Sequence, residues 1–97
     1  MRIFAVIRRR AGAWDFTRPM EEQPEWLPHA EFMTALEASG ALLLAGPLEG
    51  DRDVLFVMCA DDTTDIERLL APDPWTRSGL LETTRVAGWT LRVGSLT

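Results

Sequence analysis

His29 is the residue with the clearest chemical potential, because it is the only histidine in the chain. Phe32, Met33 and Leu36 follow it at helical spacing, which predicts one apolar helix face that also carries the imidazole. A polar ring on such a face needs a hydrogen-bond partner. The start of a helix disfavours the imidazolium and a nearby carboxylate favours it, a balance that suits a general base. The other interpretation is a structural core histidine, and position alone leaves both open.

Asp73 is the carboxylate that we consider as the partner of this histidine. It precedes Pro74, so its simplest role is to cap a short helix that the proline begins, and both roles can coexist. Two tryptophans lie nearby in the sequence, with Trp26 one turn before His29 and Trp75 two residues after Asp73. If the two segments meet, the indoles form flat apolar walls of a small-molecule pocket; otherwise they belong to the core.

Other candidate sites have weaker support in the sequence. The single cysteine, Cys59, lies in an apolar run and is expected to be a buried, inert thiol. One cysteine and one histidine cannot supply the ligand sets of structural zinc sites, so we expect no metal. No glycine-rich phosphate motif is present, and we expect no cofactor. Residues 8–10 are three consecutive arginines, which we interpret as the solvated end of a strand.

Length and composition indicate one folded domain over residues 1–97. Hydrophobic residues make up 46% and charged residues 26%, close to the averages of globular proteins. The formal net charge of -5 argues against nucleic acid or an anionic membrane as a partner. No apolar run approaches the roughly 18 to 20 residues of a membrane span, and the run of charges at residues 8–10 follows a short apolar stretch, the reverse of a signal peptide. We therefore expect a cytoplasmic protein.

Hydrophobic patterning predicts the element order βαββαβ. Strands are expected over residues 2–8, 41–45, 54–60 and about 83–93. A first helix is expected to begin near Pro28 and to end before Gly40, and a second one to begin with a capping box of Thr64 and Glu67 and to end at Pro72. With right-handed crossovers, this order gives an α+β ferredoxin-like fold, a four-stranded antiparallel sheet with two helices on one face.

The other face of this sheet lacks a cover within the chain. The first strand is apolar in both alternations, with Ile3, Ala5 and Ile7 on one face and Phe4 and Val6 on the other. A large exposed apolar face marks an interaction site. We therefore expect a homodimer in which two sheets pack face to face.

Two further expectations concern the other tryptophans. Trp89 falls on the apolar alternation of the last strand and is expected in the core. Residues 9–23 show no periodicity but contain Trp14 and Phe16, so this segment is either a functional loop or a poorly ordered one.

Several segments together resemble the YciI-like proteins, which have a YCII-related domain, over about residues 1–94. The segments are, in order, residues 26–33 (WLPHAEFM), 40–48 (GALLLAGPL), 71–81 (APDPWTRSGLL) and 89–94 (WTLRVG). Residues 12–15 (GAWD) and 22–23 (EQ) resemble one branch of the family. The resemblance implies a ferredoxin-like fold in the dimeric α/β barrel superfamily, and a dyad of His29 and Asp73 in a cleft with residues 9–23 as its lid.

The sequence thus favours a small cytoplasmic homodimer that transfers protons on a small organic compound, without metal or cofactor. His29 is expected to be the proton acceptor, and Asp73 is expected to orient it. The expected substrate-binding residues are Trp14, Trp26, Gly46, Pro47 and Trp75. An isomerase or lyase reaction suits this set. The alternative is a non-enzymatic ligand-binding or assembly protein in which the His29 and Asp73 pair is structural.

Overall fold

One antiparallel sheet of four strands organises the computed structural model, which describes residues 1–96. The strands are β1 (Arg2–Arg10), β2 (Leu42–Pro47), β3 (Asp53–Ala60) and β4 (Leu81–Gly88), in the order β2-β3-β1-β4. The central strand β1 pairs with both β3 and β4, and Val6 lies opposite Phe56 on one side and Val86 on the other. The apolar residues of β1 suit this central place, because both of its edges are paired.

Three α-helices and one 3-10 turn (Met20–Glu22) complete the fold over residues 1–96. The α-helices are α1 (Trp26–Ala38), α2 (Thr63–Leu70) and the short α3 (Pro74–Arg77). Residues of α1 and α2 pack with one face of the sheet in a single apolar core. The predicted α+β ferredoxin-like fold is therefore confirmed. Gly40 follows α1 with a φ of 87°, a conformation that suits glycine where the chain leaves a helix.

The apolar core is formed by side chains from β1, β3, the end of α1 and the buried side of α2. Its main members are Phe4, Val6, Leu36, Phe56, Met58, Ile66 and Leu70. On the opposite face of the sheet, Ile3, Ala5 and Ile7 are only partly buried within one chain. The sheet therefore has one covered and one open face, and Leu44 on the edge strand β2 is 57% exposed.

Two predictions about the end of the chain are wrong. The last strand ends at Gly88 instead of continuing to about residue 93. Trp89 is 45% exposed and lies outside the core, although its backbone N–H donates to the carbonyl of Ile3 at 2.8 Å. The alternation of apolar residues continues past Gly88, but Gly88 already lies opposite Phe4 and β1 begins at Arg2, so only two more residues have a partner position and the rest of the predicted strand has none.

Two helix starts also differ from the prediction. Helix α1 begins at Trp26, two residues before Pro28, because proline is tolerated anywhere within the first turn. Helix α2 is capped by Asp62, whose carboxylate accepts from the N–H of Asp65 at 2.9 Å, and not by Thr64. None of the helices within residues 1–96 is long and apolar enough to cross a lipid bilayer.

Candidate active site

His29 and Asp73 meet beneath the first turn of α1. His29 is the fourth residue of that helix and Asp73 immediately precedes α3. The Nδ1 atom of His29 lies 2.8 Å from Oδ1 of Asp73, and the two residues are 5% and 0% exposed. The structure thus brings together two residues that are 44 positions apart in the chain.

Asp73 has a second role, which the sequence also predicted: it caps α3. Its Oδ1 atom accepts from the backbone N–H of Trp75 at 3.0 Å in addition to its contact with His29. Burial by itself raises the pKa of Asp73, but the hydrogen bonds from His29, Trp75 and Arg8 outweigh burial, so the pKa lies below its usual value. Asp73 is therefore a carboxylate, and it only accepts hydrogen bonds.

Arg8 is the part of this site that the sequence analysis missed. It was expected at a solvated strand end, yet it is 0% exposed. Its Nη1 atom donates to Oδ2 of Asp73 at 2.9 Å, and its Nη2 atom donates to the hydroxyl of Thr76. Burial lowers the pKa of Arg8, and Asp73 opposes this effect, so the guanidinium keeps its charge. A signal was present in the sequence, since Phe4, Val6 and Arg8 share one face of the strand.

The interpretation of the three arginines as solvated is correct only for the middle one. Arg9 is exposed, whereas Arg10 follows the alternation of Arg8 and keeps only 12% of its side chain exposed. Its guanidinium carbon lies 4.5 Å from the centre of the Trp14 ring. The two outer arginines therefore belong to the covered face of the sheet.

Three tryptophans form an aromatic cluster that includes the imidazole. Trp75 stacks on His29 with the ring centres 3.7 Å apart and the planes 8° from parallel. Trp14 meets Trp75 edge-on at 5.1 Å, and Trp26 lies 5.8 Å from Trp75. The indole N–H of Trp75 donates to the carbonyl of Pro24 at 2.7 Å, which holds the stack in one orientation. The ring of His29 is thus fixed on one face by Trp75 and at one edge by Asp73.

A cavity of about 330 Å³ opens beside this cluster. Its lining is mainly apolar, and it includes His29 and all five expected substrate-binding residues. These five are Trp14, Trp26, Gly46, Pro47 and Trp75. Asp73 does not line the cavity, which agrees with a role behind the histidine. Cavities of this size and character hold small organic ligands.

The contact with Asp73 determines which ring nitrogen of neutral His29 carries the hydrogen. Because an ionised Asp73 only accepts, the Nδ1 atom of neutral His29 is the donor and carries the hydrogen. The other ring nitrogen, Nε2, then has a free lone pair, and it has no hydrogen-bond partner among residues 1–96. This tautomer is the one in which the histidine can accept a proton at Nε2.

The sequence model of the YCII-related domain matches residues 1–90. The chain belongs to the YCII-related domain family. This finding confirms the resemblance to the YciI-like proteins. No curated protein sequence matches the chain significantly.

A similar fold is seen in a solved structure, that of the 5-chloro-2-hydroxyhydroquinone dehydrochlorinase TftG from Burkholderia phenoliruptrix in complex with 2,5-dihydroxybenzoquinone. The two chains share 20% sequence identity, and the match covers 95% of each chain with a TM-score of 0.55. At this level of identity the likeness shows the fold.

The loop after β1 is ordered in this YCII-related domain. Trp14 is buried, and Gln23, which is 3% exposed, ties the loop together. Its side-chain oxygen accepts from the N–H of Asp15 at 3.0 Å, and its amide nitrogen donates to the carbonyls of Asp15 and Arg18 at 2.7 and 3.1 Å. These hydrogen bonds give the loop a defined conformation in the structure. Gln23 was noticed in the sequence only as part of a motif, and its structural role was missed.

The remaining candidates lie outside the cavity lining. Cys59 was expected to be buried, but it is partly exposed, because its strand position points away from the apolar core. Phe16 is 50% exposed, with the Arg52 guanidinium 5.1 Å from its ring centre. Within residues 1–96, His, Cys, Asp and Glu side chains form no group of three or more that could hold a metal ion.

Proposed function

We propose that this YCII-related protein transfers protons on a small, planar organic compound, in an isomerase or lyase reaction that needs no cofactor. The observation that carries the proposal is the state of His29, whose Nδ1 is held by Asp73 while its Nε2 is free. A general base must be within reach of its substrate and must keep one nitrogen unprotonated. His29 is part of the cavity wall, where a bound molecule meets it.

In this reaction His29 takes a proton from an O–H or C–H group of the bound compound at Nε2. Asp73 holds the ring in the correct tautomer and stabilises the imidazolium that forms. Arg8 fixes Asp73 from behind through the 2.9 Å contact, so the carboxylate cannot rotate away. The imidazolium then returns the proton to another atom in an isomerisation, or to solvent after a leaving group departs in an elimination.

The substrate class follows from the cavity walls. Three indoles favour a flat ring, because offset and edge-on contacts between rings add to apolar burial. The structural neighbour TftG is named as a dehydrochlorinase of a chlorinated hydroquinone and is in complex with a dihydroxybenzoquinone. Loss of HCl from such a ring removes a proton and a chloride ion, which is chemistry that a histidine base supports. These points support a hydroxylated six-membered ring as the substrate.

We further propose that the protein is a homodimer formed through the open face of the sheet. Ile3, Ala5 and Ile7 on that face are partly exposed in one chain, and Leu44 at its edge is 57% exposed. A second copy covers such a surface by twofold symmetry. Light scattering at micromolar concentration is expected to give twice the 10.9 kDa chain mass, and the monomer mass would contradict the proposal.

A cytoplasmic location is also part of the proposal. The single cysteine, Cys59, forms no disulfide within residues 1–96. Small proteins of oxidising compartments are commonly stabilised by disulfides. Cell fractionation with an antibody against the protein tests this location.

Chloride release from 5-chloro-2-hydroxyhydroquinone tests the activity. We expect the wild type to release chloride faster than buffer, and His29→Ala to lose about 10²- to 10⁴-fold of this rate, which is the usual contribution of a general base. Leu27→Ala is the matched control, because Leu27 lies on the same helix but is 70% exposed. Equal rates for His29→Ala and wild type would refute the role of the base. A wild-type rate equal to that of buffer would refute the lyase reaction on this ring.

The alternative function is a binding or assembly protein in which Asp73 only ties elements together. The capping contact between Asp73 and the N–H of Trp75 supports it, since this bond stabilises the fold without any substrate. The two functions differ in their response to Asp73→Asn. A lower melting temperature with unchanged ligand affinity and no effect of His29→Ala on any turnover favours the binding protein.

A further inference from the structure

We propose that Arg10 binds an anionic oxygen of the ligand and makes the cavity selective for negatively charged aromatic compounds. This inference rests on the proposed small-molecule site and specifies the charge of its ligand. It concerns a residue that the sequence analysis placed in solvent.

The position of Arg10 at the end of β1 directs its side chain to the site. Arg10 lies two residues after Arg8, so both side chains emerge on the helix-covered face of the strand. Arg10 is part of the cavity lining, whereas Arg8 lies behind the wall with Asp73. The guanidinium of Arg10 rests on the ring of Trp14 at 4.5 Å, and Trp14 is itself packed edge-on against Trp75. This packing holds the charge at the wall between the cavity and an adjoining hollow that is also lined by Arg52 and Glu82.

The charge of Arg10 is only weakly compensated by the protein. Its Nη1 atom donates to the carbonyl of Asp51 at 3.1 Å, and the carboxylate of Asp51 is 3.9 Å away and 91% exposed. Such an exposed pair contributes little. The Nε atom is buried and has no hydrogen-bond partner within residues 1–96. The Nε atom of Arg8 is likewise buried without a partner, but the charge of Arg8 is compensated by its wholly buried 2.9 Å pair with Asp73.

Within residues 1–96, the cavity lining therefore includes the positive charge of Arg10 but no negatively charged side chain. Its only ionisable lining residues within the described chain are His29 and Arg10, and no carboxylate lines it. Asp73 is behind the wall and its charge is matched by that of Arg8. Apolar walls strengthen the interaction between Arg10 and an anion, because little water is present to screen it. A carboxylate or a phenolate oxygen suits the guanidinium, which can donate two parallel hydrogen bonds.

A pair of probes of equal shape tests this selectivity: benzoate, which is charged at neutral pH, and benzamide, which is not. Binding is followed by NMR on the indole N–H signals of the four tryptophans. We expect benzoate to bind wild type about tenfold or more tightly than benzamide, because hydrogen bonds to charged groups are the stronger ones. Arg10→Met removes the positive charge but leaves an apolar side chain packed against the Trp14 ring. It is expected to abolish the preference and to leave benzamide affinity within about twofold.

Two further variants make the test decisive. Arg10→Lys keeps the charge and is expected to keep part of the preference. Arg52→Met removes a nearby cation that does not line the cavity, and it is expected to leave the preference unchanged. Equal binding of both probes to wild type, or a preference that survives Arg10→Met, would overturn the role of Arg10 while leaving the site itself in place. If neither probe shifts any indole signal, both the selectivity and the proposed small-molecule site are refuted.

Discussion

The covered face of the sheet has two ends that are built from different chemistry, although one strand runs through both. At one end Phe4 and Val6 of β1 enter the apolar core with Phe56, Met58 and Ile66. At the other end the same alternation of β1 places Arg8 and Arg10 against charged and aromatic side chains. The first end gains stability from apolar burial. The second end buries charges, which costs free energy unless every charge is paired.

This contrast teaches where function is located in a chain of this size. In the apolar core, an apolar side chain of similar volume maintains the fold. In the charged end, the guanidinium of Arg8, the carboxylate of Asp73 and the imidazole of His29 depend on one another for hydrogen bonds. Because an apolar replacement of a buried ionic network is often at least as stable, stability alone does not explain this network.

The largest expected effect on stability is in the apolar core. Phe4→Ala is expected to lower the free energy of unfolding by about 3 to 5 kcal/mol, because Phe4 is 0% exposed and its removal leaves a cavity. Urea denaturation measures the change. Leu27→Ala, at a residue that is 70% exposed, is the control and is expected to stay within about 0.5 kcal/mol. A cost for Phe4→Ala below about 1 kcal/mol would contradict the division of roles between the two ends.

A substitution at the charged end of the sheet face is expected to lower the free energy of unfolding by less than Phe4→Ala does, and the effect is expected to depend on pH. Asp73→Asn keeps the size of the side chain but leaves the buried charge of Arg8 without a counter-charge, at a cost of about 2 to 3 kcal/mol at pH 7. The pKa of Asp73 is lower in the folded state than its ordinary value of 3.8. The stability from its carboxylate is therefore fully present above pH 3.8 and is lost as the pH falls through the lower, folded-state pKa.

Urea denaturation at pH 5 and at pH 3 checks this dependence. The stability difference between wild type and Asp73→Asn is expected to be larger at pH 5 and to shrink at pH 3, because below pH 3.8 the unfolded wild type takes up a proton at Asp73 more readily than the folded state does, whereas the variant has no such carboxyl. Asp51→Asn is the matched control, since Asp51 is 91% exposed. A difference that stays constant between the two pH values would show that the carboxylate charge of Asp73 does not stabilise the fold.

The fold was predictable from the sequence because its signals are local. The apolar runs of the strands, the stripe of α1 and the glycine after it each identify an element within a few residues. The pair of His29 and Asp73 was predictable only as two separate residues, and family resemblance joined them. Their 2.8 Å contact depends on how α1 and α3 pack, which no spacing in the sequence encodes.

The roles of Arg8 and Arg10 were missed for a physical reason. A run of three arginines in an acidic chain is usually solvated, and this rule was applied to all of them. Strand geometry separates them, because alternate side chains of a strand point to opposite faces. Arg8 and Arg10 therefore follow Phe4 and Val6 inward, and only Arg9 is exposed. Charge composition alone cannot make this distinction, whereas the register of the strand can.

The smallest expected effect on stability concerns the N-terminal cap of α2, the helix that packs on the apolar core. Two residues, Asp62 and Thr64, are candidates for this cap. Asp62→Ala is expected to cost about 1 kcal/mol, because its carboxylate accepts from the N–H of Asp65 at 2.9 Å. Thr64→Ala is the matched control, since Thr64 is exposed within the first turn and has no capping role; its cost is expected to be below about 0.5 kcal/mol. Urea denaturation at neutral pH compares the two variants. A larger loss of stability for Thr64→Ala than for Asp62→Ala would support the predicted capping box of Thr64 and Glu67. The helix would then begin two residues later.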